Sequence, residues 1–439
     1  MNIVILSGGS GKRLWPLSND IQSKQFLKIF RHGDEYESMV QRIFHQIRTV
    51  DPEANITIAT SKSQVSSLKN QLMNESFSIS VEPLRKDTFP AILLTVAYLK
   101  YEKGINDDEP IIVCPVDPYV DTDYFKMFLK MLEIVKNNDA KIALMGIMPT
   151  YPSEKYGYVI PSTKEEISSI SYFKEKPSEQ LARDYIGRGA LWNGGVFAFK
   201  IKYVLDIGKS LFHFIDYKDL LNRYSQLERI SFDYAVVEKE PNIKVIKYSG
   251  HWKDLGTWNT LTEATDENII GDGTCDDECQ NTNIVNKLNI PILAMGLKNT
   301  IISASPNGIL VTSKDRSSYI KSYVEALDQR VMFAEKSWGD FLVLAVEENG
   351  LVIRVNLKPG KSMNYHMHKH RDESWVILSG NGFVIIDGKK RNIHPGDSIY
   401  IERGTYHTVQ AGDELIIIEV QIGEDISIED KHKKNLPIL

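Results

Sequence analysis

Four apolar runs near the start of the chain, IVIL at 3–6, ITIA at 56–59, IIVCP at 111–115 and IALM at 142–145, are continuous instead of alternating. A strand with one wet face alternates apolar and polar residues, so a continuous run must be covered on both faces. Helical patterns lie between the runs (MVQRIFHQI, VSSLKNQL and AILLTVAYLKYEK). Strands and helices in alternation predict a mostly parallel, Rossmann-like α/β sheet with helices on both faces. Such sheets bind ligands beyond the carboxyl ends of their strands. The stretches LSGGSGKRL and CPVDPYV fall at two such ends.

The pattern changes after WNTLTEATDE, which reads as a helix. IIGDGTCDDECQNTN is poor in large apolar residues and reads as a linker. Short, closely spaced strands follow, suggesting a small β unit such as a few coils of a β-helix, and then a helical stretch, SYIKSYVEALDQ. From about residue 338 the short strands LVIRVNL, SWVILSG, GFVIIDG, SIYIERG and LIIIEVQ, with NG and DG turns, predict an all-β barrel. The expected organisation is a first domain at 1–265, a linker and small β unit at 266–335, a barrel at 336–425 and a charged tail at 426–439.

A chain of 439 residues exceeds what one core supports. Its net charge of −6 excludes a broad nucleic-acid surface but leaves room for a local phosphate site. Three cysteines cannot build a disulfide framework; Cys114 reads as a core thiol, and Cys275 and Cys279 have no histidine nearby to complete a zinc site. No leader-like segment opens the sequence and no apolar run reaches membrane-spanning length, so a cytoplasmic protein without a membrane partner is expected, assembled as a homo-oligomer.

In LSGGSGKRL a strand empties into Gly8, Gly9 and Gly11, followed by Lys12 and Arg13. Glycines let backbone N–H groups approach an anion closely. The Walker pattern fails, because Leu6 stands where its first glycine belongs and Arg13 follows Lys12. The dinucleotide pattern fails at Leu14, in place of its third glycine. Lys24 adds a further cation able to clamp a polyphosphate, while an ordinary tight turn remains the plain alternative.

GGSGKRLWPLS followed by SKQFLKIF resembles the signature of the sugar-1-phosphate nucleotidyltransferases, specifically the mannose-1-phosphate guanylyltransferases, which read GGSGTRLWPLS and then PKQF. Ser23 stands where that family has proline. The resemblance implies that the turn, with Leu6, Gly8, Gly9, Gly11, Lys12 and Arg13, wraps a nucleoside triphosphate, and that Arg13 and Lys24 meet its phosphates. EPLRKDTFPAI resembles EPxGRNTAPAI, which implies that Glu82 and Asp87 approach the nucleobase; Arg85, Lys86, Asp87 and Phe89 depart from that pattern. CPVDPYV and HWKDLGTW resemble the two motifs whose aspartates hold Mg²⁺, here Asp117 and Asp254. EKYGYVIP, FKEKP and LWNGGVFAF imply sugar-phosphate contacts at Gly157, Glu175, Lys176 and Asn193. The implied partners are GTP and a sugar 1-phosphate, mannose 1-phosphate first. Another hexose or heptose phosphate, another nucleotide, or a regulator without turnover stay open.

Five of the ten histidines lie between positions 366 and 407. His366 and His368 share one strand face, Glu373 follows, and His407 arrives from a later strand. Three imidazoles and a carboxylate suit Zn, Mn, Fe, Co or Ni alike. Their spacing, with Gly360, Gly380, Gly396 and Gly404, resembles the cupin signature, with Glu402 where proline is usual. His370 and His394 fit less well and read as ordinary polar residues, with a place lining the cavity as the alternative for His370. A guanylyltransferase followed by a cupin resembles the bifunctional phosphomannose isomerase/guanylyltransferases. Here His366 replaces a glutamine and Ser374 a histidine, and the terminal stretch is shortened and lacks an arginine. An isomerase, a sugar-phosphate sensor and a packing module all remain open for the cupin.

Overall fold

The computed structural model describes residues 1–9, 12–19, 22–327, 330–424, 426–427 and 430–435. The chain forms two compact units: Met1–Gly11 with Ser23–Asp266, and Lys12–Gln22 with Glu267–Leu439.

In the first unit, nine strands among the described residues form one sheet, in the order Ser78–Glu82, Asn55–Ser61, Asn2–Ser7, Pro110–Pro115, Leu191–Lys200, Ile142–Ile147, Ile243–Tyr248, Ile167–Lys174 and Tyr158–Pro161. The first four are parallel and Leu191–Lys200 runs against its neighbours. The continuous runs are divided between two cores. Ile3, Ile5, Ile112 and Cys114 pack on one face with the helices Met39–Val50 and Asp123–Lys136. Val4, Ile111, Val113 and Leu144 pack on the other with Thr88–Tyr101 and Ile201–Phe212. Ser38 and Gln41 close a capping box at the start of Met39–Val50. Cys114 is a core residue, as expected, and so are Trp192 and Trp258.

The helix read in WNTLTEATDE is shorter than expected and covers only Trp258–Thr262. Its buried face, Trp258, Leu261 and Thr262, is spent within two turns, and the mostly polar remainder adds only Ala264 to the core.

In the second unit, Ile269–Ile270, Asn283–Asn286 and Thr300–Ser305 stack in parallel, and Gly273–Cys275 stacks on Ile292–Ala294. These are β-helix-like coils, and the stretch read as a linker supplies the first of them. Of the helical stretch SYIKSYVEALDQ, Lys321–Glu325 is α-helical; Asp328 and Gln329 lie outside the described residues. Within the same unit, Ser305 Oγ donates to the Pro16 carbonyl at 2.7 Å, and a Cβ on Gly308 would meet Trp15 at 2.5 Å.

The barrel has two sheets, with six strands (Phe333–Lys336 to Leu415–Gly423) and five strands (His366–Met367 to His432–Lys433) among the described residues. Trp375, Ile377, Val384, Val409 and Ile417 fill the space between them. The segment read as a charged tail takes part, since His432–Lys433 pairs with His366–Met367. Among the described residues no helix is long and apolar enough to cross a membrane.

Candidate functional site

The glycine turn follows directly on the strand Asn2–Ser7. A buried polar network braces it: Gln64 Nε2 donates to the Gly9 carbonyl at 3.2 Å and to Ser23 Oγ at 2.7 Å, while Gln64 Oε1 accepts from Thr60 at 2.8 Å and Gln25 at 3.2 Å. Ser23, the departure from the family pattern, is fully buried here, so its hydroxyl uses a donor that proline could not. Gly11 lies outside the described residues. Lys12 and Arg13 start a 3₁₀ turn in the segment grouped with the second unit, and Arg13 is exposed.

Lys24 Nζ lies 2.7 Å from Asp117 Oδ2. Burial alone would raise the Asp117 carboxyl, but the Lys24 ammonium outweighs it and holds the group below its ordinary range. The next three residues, Pro118–Val120, pair antiparallel with Trp252–Asp254, with Asp254 opposite Pro118. Asp254 therefore pairs with the residue that follows Asp117. A Cβ on Gly256 would approach the Asp254 carboxylate to 3.2 Å, so glycine keeps that side open. The phenol of Tyr156 is pushed up by burial first, then by Asp254 and more weakly by Asp117. A carboxylate held ionised by a lysine, with Asp254 on the strand that pairs next to it, suits Mg²⁺.

Tyr156 leads into Gly157, where the implied sugar-phosphate residues meet. A Cβ on Gly157 would lie 2.4 Å from Glu175 Oε2, and the Gly157 carbonyl accepts from the Asn193 amide at 2.8 Å. Lys176 Nζ reaches Glu175 Oε1 at 3.0 Å. Burial pulls the Lys176 ammonium down, but Glu175, Tyr234 and Asp233 more than compensate and raise it. Sequence reasoning missed Asp233. Its carboxylate accepts from Asn193 Nδ2 at 2.6 Å and is pushed up to about 6, by burial first and then by Glu175. The only local signal was SFDYAVVEK, a short helix capped by Ser231, and nothing in it marks the aspartate as facing residues far away in sequence.

Glu82 ends a strand next to the turn, its Oε1 3.7 Å from where a Gly8 Cβ would stand. Burial pushes its carboxyl up to about 7, against the opposing hydrogen bond from Tyr224 at 2.8 Å. Asp87 caps the helix Thr88–Tyr101 by accepting from the Thr88 amide, and Lys86 donates to the Ser225 carbonyl. Phe89 is a core residue. Those departures from the family pattern are thus engaged in local structure.

In the barrel, His366, His368, Glu373 and His407 are all buried. Each imidazole turns Nδ1 to a main-chain carbonyl: His366 to Asn364 at 2.6 Å, His407 to Thr405 at 2.9 Å and His368 to Asp430. That leaves the Nε2 atoms to converge. His368 Nε2 is 3.0 Å and His407 Nε2 3.3 Å from Glu373, and His407 Nε2 has no hydrogen-bond partner. Burial, then Lys431 and the other imidazoles, push His366 down to about 2, so it is neutral. Buried imidazoles, each fixed through its other nitrogen and with one Nε2 unsatisfied, fit a divalent metal. Arg371 donates to His368 Nε2 at 3.2 Å and lies 3.3 Å from Glu373. With Lys431, Lys433 and Lys336 it lines a cavity of about 770 Å³ that includes His366, His368 and Glu373. The sequence did not reveal these cations as a group. His370 and His394 are exposed.

A family model described as nucleotidyl transferase matches residues 2–269, and one described as mannose-6-phosphate isomerase C-terminal matches 325–434. Mannose-1-phosphate guanylyltransferases from Klebsiella pneumoniae (26% identical) and Escherichia coli (27% identical) align over 97% of this chain and 97% of their own lengths. The solved structure of a protein from Thermus thermophilus described as mannose-1-phosphate geranyltransferase superposes with a TM-score of 0.62 at 26% identity, covering 74% of this chain and 98% of that one. With the first model covering well over half of its length, the chain belongs to the nucleotidyl transferase family.

Proposed function

We propose that the chain transfers GMP from GTP to mannose 1-phosphate, forming GDP-mannose and releasing pyrophosphate. The observation that carries this reading is the Lys24–Asp117 pair at 2.7 Å, with Asp254 on the paired strand beside it. A phosphate oxygen of the sugar phosphate bonds to the α-phosphorus, the bond to the bridging β-phosphate oxygen breaks, and pyrophosphate leaves with that electron pair. No covalent enzyme intermediate is required, so positioning and charge carry the rate. Asp117 and Asp254 would hold Mg²⁺, which when bound neutralises phosphate charge. Lys24 and Arg13 would meet the triphosphate, and Lys176, charged and next to Glu175, would hold the attacking phosphate in line. Glu82 would face the base. A cytoplasmic homo-oligomer belongs to this reading.

The test is pyrophosphate release with Mg²⁺ over a grid of nucleotides and sugar 1-phosphates. Release with GTP and mannose 1-phosphate far above other pairs supports the proposal. Another preferred pair redirects specificity to residues 82–92. Silence from folded protein favours a binding regulator.

A second reading concerns the barrel. Its cavity joins a metal-type cluster to Arg371, Lys431 and Lys433, cations that suit an anionic sugar. This supports interconversion of mannose 6-phosphate and fructose 6-phosphate, with a divalent metal held by His366, His368, Glu373 and His407. Binding of hexose phosphate without isomerisation would make the barrel a sensor instead.

A further inference from the structure

Far from the barrel in sequence, three metal-type side chains meet on the first unit. His32 ends the strand Phe30–His32, Glu37 ends the antiparallel strand Glu35–Glu37, and His45 lies on the following helix, Met39–Val50. His45 Nδ1 is 2.8 Å and His32 Nδ1 3.9 Å from the same carboxylate oxygen, Glu37 Oε2. The two imidazoles stack at 4.9 Å between centroids. The carboxylate is buried, whereas the His32 side chain is 64% exposed. Its other oxygen lies 3.8 Å from Arg42 Nη1.

An ordinary hydrogen bond explains half of this. His45 is within hydrogen-bonding distance of Glu37, but His32 is too far to share that bond. It nevertheless holds its Nδ1 toward the same oxygen, from the far side of a hairpin. The three candidate ligand atoms lie within 4.8 Å of one another. A tetrahedral ion about 2.1 Å from each donor holds them roughly 3.4 Å apart, a spacing between the two observed separations. We propose that His32, Glu37 and His45 form a second divalent-metal site, of two imidazoles and one carboxylate with the remaining positions open, suited to zinc or a similar borderline ion. An ion there ties the hairpin to the helix. That helix also donates from Arg42 and Gln46 to the Val120 carbonyl, on the strand that follows Asp117.

The probes are zinc and cobalt, added to full-length chain freed of metal by chelation. A His366→Ala/His368→Ala background removes the barrel cluster, and excess Mg²⁺ keeps Asp117 and Asp254 filled. In this background the protein is expected to take up zinc, and cobalt to give the visible absorption of a low-coordinate site. His32→Gln and His45→Gln should each weaken uptake by about tenfold or more. His32 is mostly exposed, so His32→Gln is expected to keep the parent unfolding midpoint and remain interpretable even if His45→Gln loosens the helix. Failure of the background to take up zinc, or uptake unchanged by both substitutions, overturns the site.

Discussion

Gln64 donates to the hydroxyl of Ser23 at 2.7 Å, and through the same amide group to the carbonyl of Gly9. One side chain therefore joins the glycine turn to the residue before Lys24. Gln64→Leu removes the donor to Ser23 and to the Gly9 carbonyl, and leaves Thr60 and Gln25 with their bonds to Ser7 alone. A loss of about 1–3 kcal/mol is expected in denaturant unfolding, together with a raised KM for the nucleotide, because the turn loses its brace. An unchanged KM in folded variant protein would show that the network serves stability alone.

Asp254→Asn keeps the size of the side chain and removes its charge. Turnover is expected to fall by about 10²-fold or more while the unfolding midpoint stays close to that of the parent. Near-parental turnover would remove Asp254 from the magnesium assignment.

Gly157→Ala forces a methyl to within 2.4 Å of the Glu175 carboxylate, which must move and take its Lys176 partner with it. The KM for the sugar phosphate should rise more than the KM for the nucleotide. Steady-state kinetics with each substrate varied in turn decide this.

Glu82 ionises near 4.5 when unfolded and near 7 when folded, because burial disfavours its charge. Between those values the folded chain keeps a proton that the unfolded chain has released. The stabilisation from this group is complete below pH 4.5 and is lost as pH rises to about 7. Against Glu82→Gln, the parent should lose about 3 kcal/mol across that window and change no further above it. Denaturant unfolding of both proteins as a function of pH measures the difference.

Chelation should lower the thermal transition of the barrel-containing unit. At metal about 100-fold above Kd, bound metal contributes about 2.7 kcal/mol. In the His366→Ala/His368→Ala variant that transition should not respond to chelator, as read by calorimetry.

The main architecture was legible because neighbouring residues of one strand serve two cores: Val4 faces one and Ile3 and Ile5 the other, and such a strand has no polar alternation. The pairing of His366 with His368 was legible because period-two spacing on a strand puts residues on one face, while Glu373 and His407 joined them through the resemblance to the cupin signature. Asp233 was not, since its contact with Asn193 spans 40 positions and arises only from packing. The role of Ser23 was hidden for a related reason, as its value depends on Gln64, a residue with no motif around it. The segment after Gly423 looked like a charged tail because its charges are what a surface would carry. In the fold, Asp430 accepts from the amides of Lys369 and His370, and Lys431 turns into the cavity.

The imidazoles of the barrel are oriented by carbonyls of residues 364, 405 and 430, atoms that every amino acid possesses. Related chains can therefore diverge at positions 364 and 405 without resetting the tautomers, provided the backbone keeps its course, whereas Asp430 is also held by its carboxylate. Mutational drift around such a centre is tolerated by construction, and inheritance of the site rests on four side chains and a path of main chain.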